Sequence, residues 1–534
     1  MQQTDLILSP EEAFYEETVL KKAASAAGVN FHDITDFRIE RKSVDARKKQ
    51  ILINMRIALF LKGEKTENIS KSYQYGDVSN KPSVVVVGTG PAGLFAALRL
   101  IELGFKPIVL ERGKNVTDRK RDIAALNTKQ ILDEDSNYCF GEGGAGTFSD
   151  GKLYTRSDKR GNISRILEIF YLHGAADNIL YEARPHIGTD KLPKIVSNIR
   201  QRILDSGGEV HFSTRLDDIR VEGDKITAVV TSKGNEIPTS AVILATGHSA
   251  EDVYRMLQRH GVRLEAKGFA MGVRVEHPQS LINRLMYHLT GAADLIRYLG
   301  NASYSLVTQV EGRGVYSFCM CPGGHMVPAT SSSDACVVNG MSASHRNSPY
   351  ANSGIVVQIN PEDIPLICQH EVINTQSPAE LTNSEALAGL RLQEYVEHLA
   401  FEHGGAPAIA PAQRLADFVR GKRSADLPAC SYLPGTRSSA LHEWMPPFIA
   451  DRLRQGFRDF DRKYPGFLTN DALIFATESR SSSAVRIPRD SETLQSISHP
   501  NLYPCGEGAG YAGGITSSAL DGINAALRIA SIDD

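Results

Sequence analysis

A buried strand that runs directly into a glycine-rich turn is the feature that most constrains the fold of this chain. Residues 84–87 are four consecutive valines, as expected for a parallel strand that is buried on both faces. Residues 88–93 follow at once and match the pattern G-x-G-x-x-G. Apolar residues with helical spacing come next: Leu94, Ala97, Leu98 and Ile101. A strand, a tight turn and a helix in this order predict a βαβ unit, and therefore an α/β fold with a parallel sheet.

A second apolar strand, residues 107–110, ends in an acidic residue, Glu111. In such a unit the glycines let backbone N–H groups approach a pyrophosphate, and the start of the helix adds the positive end of a dipole. A carboxylate at the tip of the second strand can accept hydrogen bonds from both ribose hydroxyls. The sequence therefore predicts a dinucleotide site that is formed by Gly88, Gly90, Pro91, Ala92, Gly93, Glu111 and Arg112.

The same glycine pattern occurs twice more, but neither copy predicts a second unit of this kind. Residues 141–146 follow no buried strand and begin no helix. We interpret them as a loop whose backbone lies against the ligand. The residues that we expect to bind the ligand there are Gly143, Gly144, Gly146 and Thr147. Residues 508–513 follow a short strand and precede a helix, but no second strand and no ribose-binding acid come after it.

Two further segments complete the first unit. Residues 242–247 predict a buried strand that ends in Ala-Thr-Gly, and residues 503–507 place Glu507 just past another strand. This ordered set resembles the flavoproteins with two dinucleotide-binding domains. The resemblance implies non-covalent FAD, with Glu507, in place of the more usual Asp, at its ribityl-phosphate part. It adds these cofactor-binding residues: Leu216 at the adenine, and Thr246, Gly247, Gly506, Glu507, Gly513, Gly514 and Ile515.

Longer motifs are similar to those of a narrower family. The bacterial family described as uncharacterised FAD-dependent, or NAD-utilising, dehydrogenases resembles this chain at residues 140–153, 245–250, 272–279, 318–324, 338–342, 480–487 and 506–515. The departures are small, since Ser481 and Ala484 stand where Thr and Pro are expected. The resemblance implies a Rossmann-like FAD-binding domain of glutathione-reductase type. An inserted α+β substrate domain and a small N-terminal α+β module complete the implied fold.

We expect four segments along the chain. They are residues 1–78, the N-terminal module; 82–249, the first part of the FAD-binding domain; 250–488, the inserted substrate domain; and 489–534, the second part of the FAD-binding domain. In the module, Ser9 and Glu12 predict a helix start, and Gly28 predicts the helix end. Residues 66–81 predict a linker. A basic cluster fits either a docking surface or an ordinary solvated turn: Arg41, Lys42, Arg47, Lys48 and Lys49.

The inserted domain contains no second strand–glycine–helix unit, so any nicotinamide must bind in a domain of different construction. Three residues are candidates for catalysis, each with a structural alternative. Cys321, which forms a Cys-x-Cys pattern with Cys319, could exchange electrons with the flavin or belong to the core. His248 could act as an acid or base or have a local capping role. Arg480 could bind a carboxylate substrate or form a structural ion pair with Glu478. No metal site is expected, because the ligand types do not cluster at suitable spacing.

Charge and hydropathy narrow the function classes. Lys and Arg number 59 against 62 Asp and Glu, a net charge of −3, so no global positive field favours nucleic acid or an anionic membrane. No apolar stretch approaches the roughly 20 residues that span a bilayer, and the N-terminus lacks the pattern of a secretory signal. Seven cysteines do not suggest a disulfide framework. We expect a cytoplasmic protein without a nucleic-acid or membrane partner; the sequence leaves its oligomeric state open.

These observations favour a FAD-dependent oxidoreductase that transfers hydride through its flavin. Its substrate is an unidentified small molecule, and NAD(P)H is the candidate transient reductant. One alternative is a non-catalytic FAD-binding redox sensor that docks a partner through the N-terminal module. Another is an RNA-modifying flavoprotein, which would need a basic surface.

Overall fold

The fold is described for residues 1–48, 50–64, 73–154, 161–288, 294–369, 385–406 and 408–531 of a computed structural model. Its strands, numbered in chain order, are β1 Gln2–Leu8, β2 Ile34–Asp45, β3 Leu52–Leu61, β4 Ser83–Val87, β5 Lys106–Leu110, β6 Glu209–His211, β7 Leu216–Glu222, β8 Lys225–Thr231, β9 Glu236–Pro238, β10 Val242–Leu244, β11 Glu265–Ala266, β12 Phe269–Pro278, β13 Val307–Val310, β14 Arg313–Cys321, β15 His325–Pro328, β16 Val338–Met341, β17 Tyr350–Ile359, β18 Ala410–Arg414, β19 Thr436–Ser438, β20 Leu473–Glu478, β21 Val485–Arg486 and β22 Leu502–Pro504. Its helices are α1 Glu16–Ala27, α2 Pro91–Glu102, α3 Val116–Lys129, α4 Ile163–Leu172, α5 Leu192–Asp205, α6 Glu251–Arg259, α7 Gln279–Met286, α8 Asp294–Leu299, α9 Ile364–Gln369, α10 Ala388–Gly404, α11 Leu415–Arg420, α12 Leu441–Trp444, α13 Pro447–Lys463 and α14 Ile515–Ala530.

A five-stranded parallel sheet has the order β22-β10-β4-β5-β6. Its strands come from two distant parts of the chain, because β22 lies far beyond the others in sequence. The side chains of β4 alternate: Val84 and Val86 pack against the helices α2, α4, α5 and α14 on one face. Val85 and Val87 pack on the other face, against α6 and the antiparallel sheet β7-β8-β9. The predicted α/β class with a Rossmann-like sheet is confirmed.

The predicted strand–turn–helix unit is built around a very close backbone contact. Gly93 lies in α2 directly over the turn, and a Cβ at this position would lie 1.9 Å from the carbonyl oxygen of Gly88. Gly88 itself has φ +106°, which an L side chain rarely adopts. These two glycines therefore let the helix start immediately above the strand that precedes it.

A seven-stranded sheet has the order β13-β14-β17-β12-β20-β18-β19 and lies between the two parts of the parallel sheet in sequence. It is antiparallel except for the pair β18–β19. Helices α10 and α13 bury apolar side chains against it. This mixture of sheet and helices fits the α+β character expected of the insert, while the boundaries at residues 78, 249 and 488 stay predictions.

The N-terminal module has the predicted order of strand, helix, strand and strand, and its sheet is β1-β3-β2. The predicted start of its helix is wrong. Ser9 and Glu12 do exchange backbone–side-chain hydrogen bonds of 2.9 and 3.2 Å, but they close a turn, and α1 begins only at Glu16. Gly28 ends the helix with φ 68°, as predicted.

The module is joined to the rest of the chain by backbone hydrogen bonds. The N–H of Lys42 donates to Tyr181 O and the N–H of Ala183 donates to Lys42 O, both at 2.9 Å. In the basic cluster, Arg47 binds Asp45 at 2.6 Å, and Lys49 lies outside the described residues.

The described part of the predicted linker, residues 73–81, packs on the parallel-sheet region rather than running freely. Tyr73 donates a hydrogen bond of 2.5 Å to Glu168, and Val78 is buried. Residues 66–72 of the predicted linker lie outside the described residues. Across the described chain, no helix has both the length and the apolarity to cross a membrane.

Candidate cofactor site

A cavity of about 380 Å³ opens at the carboxyl ends of β4, β5, β10 and β22. This edge is where open α/β sheets bind their ligands. The wall on the opposite side comes from β14 and β16, through Phe318, Cys319 and Asn339. The cavity therefore connects the strand–turn–helix unit with the inserted region.

Most of the residues that the sequence singled out line this cavity. They are Gly88, Gly90, Pro91, Ala92, Glu111, Arg112, Gly144, Gly146, Leu216, Thr246, Gly247, Gly506, Glu507, Gly513, Gly514 and Ile515. Three others do not line it: Gly93, Gly143 and Thr147. Gly93 holds α2 against β4. Thr147 lies beside Gly143 and donates a hydrogen bond of 3.0 Å to Glu142 O, which supports the glycine loop on the side away from the cavity. Their direct contact with a cofactor stays a prediction that this geometry does not support.

Much of the wall is glycine backbone. Gly90 precedes α2, and a Cβ on Gly144 would lie 3.1 Å from the Cα of Gly90. Side chains at either position would fill the gap between the two glycine segments. Gly247 and Gly508 meet more closely still, since a Cβ on Gly508 would lie 2.4 Å from Gly247 O. A wall of this kind, with the N-termini of α2 and α14 at it, fits the pyrophosphate and the ring of a flavin dinucleotide.

Glu111 lies in the cavity, but it accepts more hydrogen bonds from the chain itself than the sequence predicts. One carboxylate oxygen accepts from the backbone N–H of Thr89 at 2.9 Å and from its hydroxyl at 2.5 Å. The other accepts from the N–H groups of Gly113 at 2.9 Å and Gly141 at 3.0 Å. A carboxylate has about four acceptor positions. Glu111 thus uses all of them to hold three loops together. A ribose could bind it only by replacing or sharing one of these bonds, so free acceptance from both hydroxyls is not what this geometry offers.

Arg119 of α3 organises the glycine loop, and sequence reasoning missed it. Its side chain is completely buried, and it donates to the carbonyl oxygens of Asn137, Tyr138, Gly141, Glu142 and Gly144 at 2.8 to 3.1 Å. Burial lowers the pKa of Arg119 to about 10, so the guanidinium stays charged at neutral pH. No local signal separates Arg119 from its basic neighbours in a strongly charged helix.

Two of the predicted catalytic residues line the cavity, each with a partner. His248 Nδ1 lies 3.4 Å from a carboxylate oxygen of Glu507. Arg480 donates two bonds of 2.6 Å to Glu397 and also binds Glu251. The predicted partner Glu478 is wrong, because it binds Arg274 at 2.8 Å instead. The guanidinium of Arg480 is therefore mainly committed to a buried ion pair.

The third candidate, Cys321, does not reach the cavity. It is completely buried, whereas its neighbour Cys319 lies on the cavity wall. Lys152 Nζ is 3.9 Å from the Cys319 sulfur. Hydrogen bonding with Cys321, with Lys152 and Arg274 nearby, holds the pKa of the Cys319 thiol well below its usual range. Hydrogen bonding with Cys319 and burial raise the pKa of the Cys321 thiol.

A parallel sheet with a glycine-walled cavity at its carboxyl edge is the arrangement of a dinucleotide-binding protein, and one matching family model supports FAD as the dinucleotide. Residues 268–481 match "FAD-dependent protein, C-terminal domain-like", and residues 1–60 match a domain of unknown function, DUF8436. An uncharacterized protein of Clostridium beijerinckii is 40% identical over 528 residues, which cover 95% of both chains. The chain belongs to the family of this clostridial protein.

Other matches are more distant. A thiamine thiazole synthase of Aeropyrum pernix is 27% identical over 203 residues, which cover 35% of this chain and 63% of that protein. Among solved structures, the halogenase PltM in complex with FAD aligns with a TM-score of 0.38 at 11% identity, covering 85% of this chain and 69% of that one. A geranylgeranyl bacteriochlorophyll reductase-like protein of Thermoplasma acidophilum aligns with a TM-score of 0.34 at 14% identity, covering 85% and 79%.

Proposed function

We propose that this flavoprotein is an oxidoreductase that moves electrons between FAD and a small-molecule substrate held against the inserted region. One observation carries the proposal: the same cavity is lined by the dinucleotide turn and by Phe318 and Cys319 of the seven-stranded sheet. A cofactor that served only as a structural support would not need a wall from a second region that places a thiol beside the ammonium group of Lys152.

The binding residues divide the cavity by chemistry. The N–H groups around Gly90 and the start of α2 suit the pyrophosphate, and Leu216 with Arg112 suits the adenosine part. Gly513 and Gly514, at the start of α14, suit negative charge on the ring. When bound, FAD supplies the acceptance and donation of two electrons as a hydride equivalent. Lys152, beside the Cys319 sulfur, is the cation that can orient an anionic group or hold a proton at this end.

The finer proposal is that NADH or NADPH reduces the flavin, as the resemblance to NAD-utilising dehydrogenases suggests. The sequence provides one dinucleotide fingerprint, which FAD occupies. A nicotinamide would therefore bind only transiently, against the inserted region. We further propose that the electron acceptor is a small molecule and not a nucleic acid, since the net charge of −3 gives no general attraction for a polyanion.

An anaerobic visible spectrum of the purified holoprotein tests the proposal. We expect the flavin band to bleach on addition of NADH or NADPH, with a preference for one of the two. The cofactor, released by denaturation, should co-migrate with FAD in chromatography. Cys430→Ser, a change outside the cavity lining, is a control for the effect of a substitution away from the site. Its flavin should bleach at the wild-type rate.

One result would contradict the whole proposal, and a second would contradict only its finer part. A holoprotein whose flavin is bleached by dithionite but by no organic donor would speak against an oxidoreductase. Bleaching by an external thiol alone would keep the oxidoreductase and reject NAD(P)H as its reductant.

A further inference from the structure

Cys319 reaches the cavity because β14 is interrupted at this point. Phe318 pairs with Gly354 and Cys321 with Asn352 on β17, so that Cys319 and Met320 together oppose one residue. Cys319 has φ +44°, in the left-handed region that side chains rarely adopt. A bulge re-aims side chains and is common beside active sites, and a strained non-glycine residue is retained where the surroundings hold it. Here the bulge turns the Cys319 thiol to the cavity and leaves the Cys321 thiol buried behind the cavity wall.

The Cys321 thiol contacts the backbone of Cys319, and cations face both residues. The Cys321 sulfur donates a hydrogen bond of 3.4 Å to Cys319 O. Arg274 donates to Cys319 O at 2.8 Å and to the Cys321 sulfur at 3.6 Å. Lys152, also bound to Met320 O, faces Cys319 from the other side at 3.9 Å. Thiolate charge on Cys319 is therefore stabilised from two directions.

We propose that Cys319 and Cys321 form a redox-active dithiol–disulfide couple that exchanges two electrons with FAD in this cavity. The proposal rests on the proposed oxidoreductase function, because FAD is the electron acceptor. It gives a role to a Cys-x-Cys pair, a bulge and a lysine that the binding of FAD alone does not require.

Oxidation of Cys319 and Cys321 by FAD needs no further oxidant or reductant. An S–S bond forms between the two sulfurs, the Cys321 thiol loses its proton, and two electrons pass to FAD. FAD takes up two protons with them, one from Cys321 and one from solvent, and becomes FADH₂. In the opposite direction the reduced flavin returns two electrons, the S–S bond breaks, and the thiolate of Cys319 and the thiol of Cys321 are restored.

Cys139 is an internal reference for the reactivity of Cys319. It also lines the cavity and is half-buried, but its sulfur donates a hydrogen bond of 3.1 Å to Ala329 O, and burial raises its pKa. At pH 7 we expect iodoacetamide to alkylate Cys319 about tenfold faster than Cys139, or more, since thiolate content changes tenfold per pKa unit. Lys152→Met should slow the alkylation of Cys319 and leave that of Cys139 unchanged.

Disulfide formation is tested on the holoprotein by mass spectrometry. After treatment with diamide, the tryptic peptide of residues 314–346, which also contains Cys336, should lose two hydrogens in the wild type and in Cys336→Ser, but not in Cys319→Ser or Cys321→Ser. Photoreduction of the bound flavin, after removal of diamide and oxygen, should restore both thiols. The same treatment of protein stripped of FAD should not restore them.

The outcomes separate this proposal from the one it rests on. If the bound flavin is reduced by an organic donor but Cys319 reacts no faster than Cys139 and no disulfide forms, the dithiol couple is rejected and the oxidoreductase stands. A disulfide that forms but is not reopened by reduced flavin also rejects the couple. If no organic donor reduces the flavin, yet the disulfide forms and photoreduction reopens it, the couple stands and the proposed donor chemistry is rejected.

Discussion

Arg119 has the most consequential single side chain at the site, because one guanidinium binds five carbonyl oxygens, three in the glycine loop of residues 141–146 and two just before it. We expect Arg119→Met to leave several of these buried acceptors unpaired, at about 1–3 kcal/mol each. The loop would shift, FAD affinity should fall by about tenfold or more, and thermal stability should drop. Arg121→Met is the matched control, since Arg121 lies on the same helix with a side chain that is 79% exposed. FAD titration by fluorescence and thermal unfolding of both variants measure the effects; equal behaviour of the two variants would contradict this role.

Glu111 connects three loops by accepting four hydrogen bonds from donors of the chain. In Glu111→Gln the new NH₂ group cannot accept, so two buried donors lose their partner, at a cost of about 2–6 kcal/mol in the free energy of unfolding. Urea unfolding of the FAD-free protein should detect this loss before any ribose is involved. Glu236→Gln, on an exposed pair with Arg220, should stay within about 0.5 kcal/mol of wild type. A variant that loses FAD affinity and keeps wild-type stability would restore the simpler role of Glu111 as a ribose ligand.

Helices α2 and α14 meet at a glycine, and this packing determines where two helix N-termini reach the cavity. A Cβ on Gly522 of α14 would lie 2.0 Å from the carbonyl oxygen of Ala92 in α2. We expect Gly522→Ala to push the helices apart and to weaken FAD binding as well as stability, the latter by about 1–3 kcal/mol. Gly76→Ala should be tolerated, because nothing lies within 4 Å of its added Cβ and its φ is ordinary. Calorimetry and FAD titration of the two alanine variants compare these positions; unchanged FAD affinity in Gly522→Ala would show that α14 adapts.

Elements that are defined by local pattern could be predicted from the sequence, whereas contacts between distant segments could not. The valine strand, its glycine turn and α2 form one continuous unit, so periodicity and turn chemistry predicted them. The start of α1 was missed because the Ser9–Glu12 pair can close a turn as well as cap a helix. Arg119, Gly522 and the ion pair of Arg480 with Glu397 depend on which segments meet in space. Likewise, the pattern Cys-x-Cys does not reveal which cysteine faces the cavity; the bulge in β14 decides that.

At the scale of the whole molecule, Arg480 connects the two sides of the cavity. It binds Glu251 of α6, beside the parallel sheet, and Glu397 of α10, which packs on the seven-stranded sheet. Arg480→Met would leave buried Glu397 without its cation, and we expect a loss of about 3–5 kcal/mol in the free energy of unfolding. Arg423→Met, which breaks an exposed pair with Glu443, should cost less than about 1 kcal/mol. Denaturant unfolding at neutral pH compares the two, and near-equal values would mean that Arg480 is not a structural link.

Glu276 makes the stability of the whole chain depend on pH. Burial raises the pKa of this carboxyl from 4.5 to about 7, although two hydrogen bonds from Ser431 act to lower it. Because the folded state holds the proton more tightly than the unfolded state, the stabilisation is fully present below pH 4.5 and is lost as the pH rises through 7. The full change is about 3 kcal/mol, at 1.36 kcal/mol per pKa unit. We expect Glu276→Gln, which cannot ionise, to flatten the stability profile over this range, whereas Glu236→Gln should keep the wild-type slope. Urea unfolding at several pH values measures both profiles, and a wild-type slope in Glu276→Gln would assign the pH dependence to other groups.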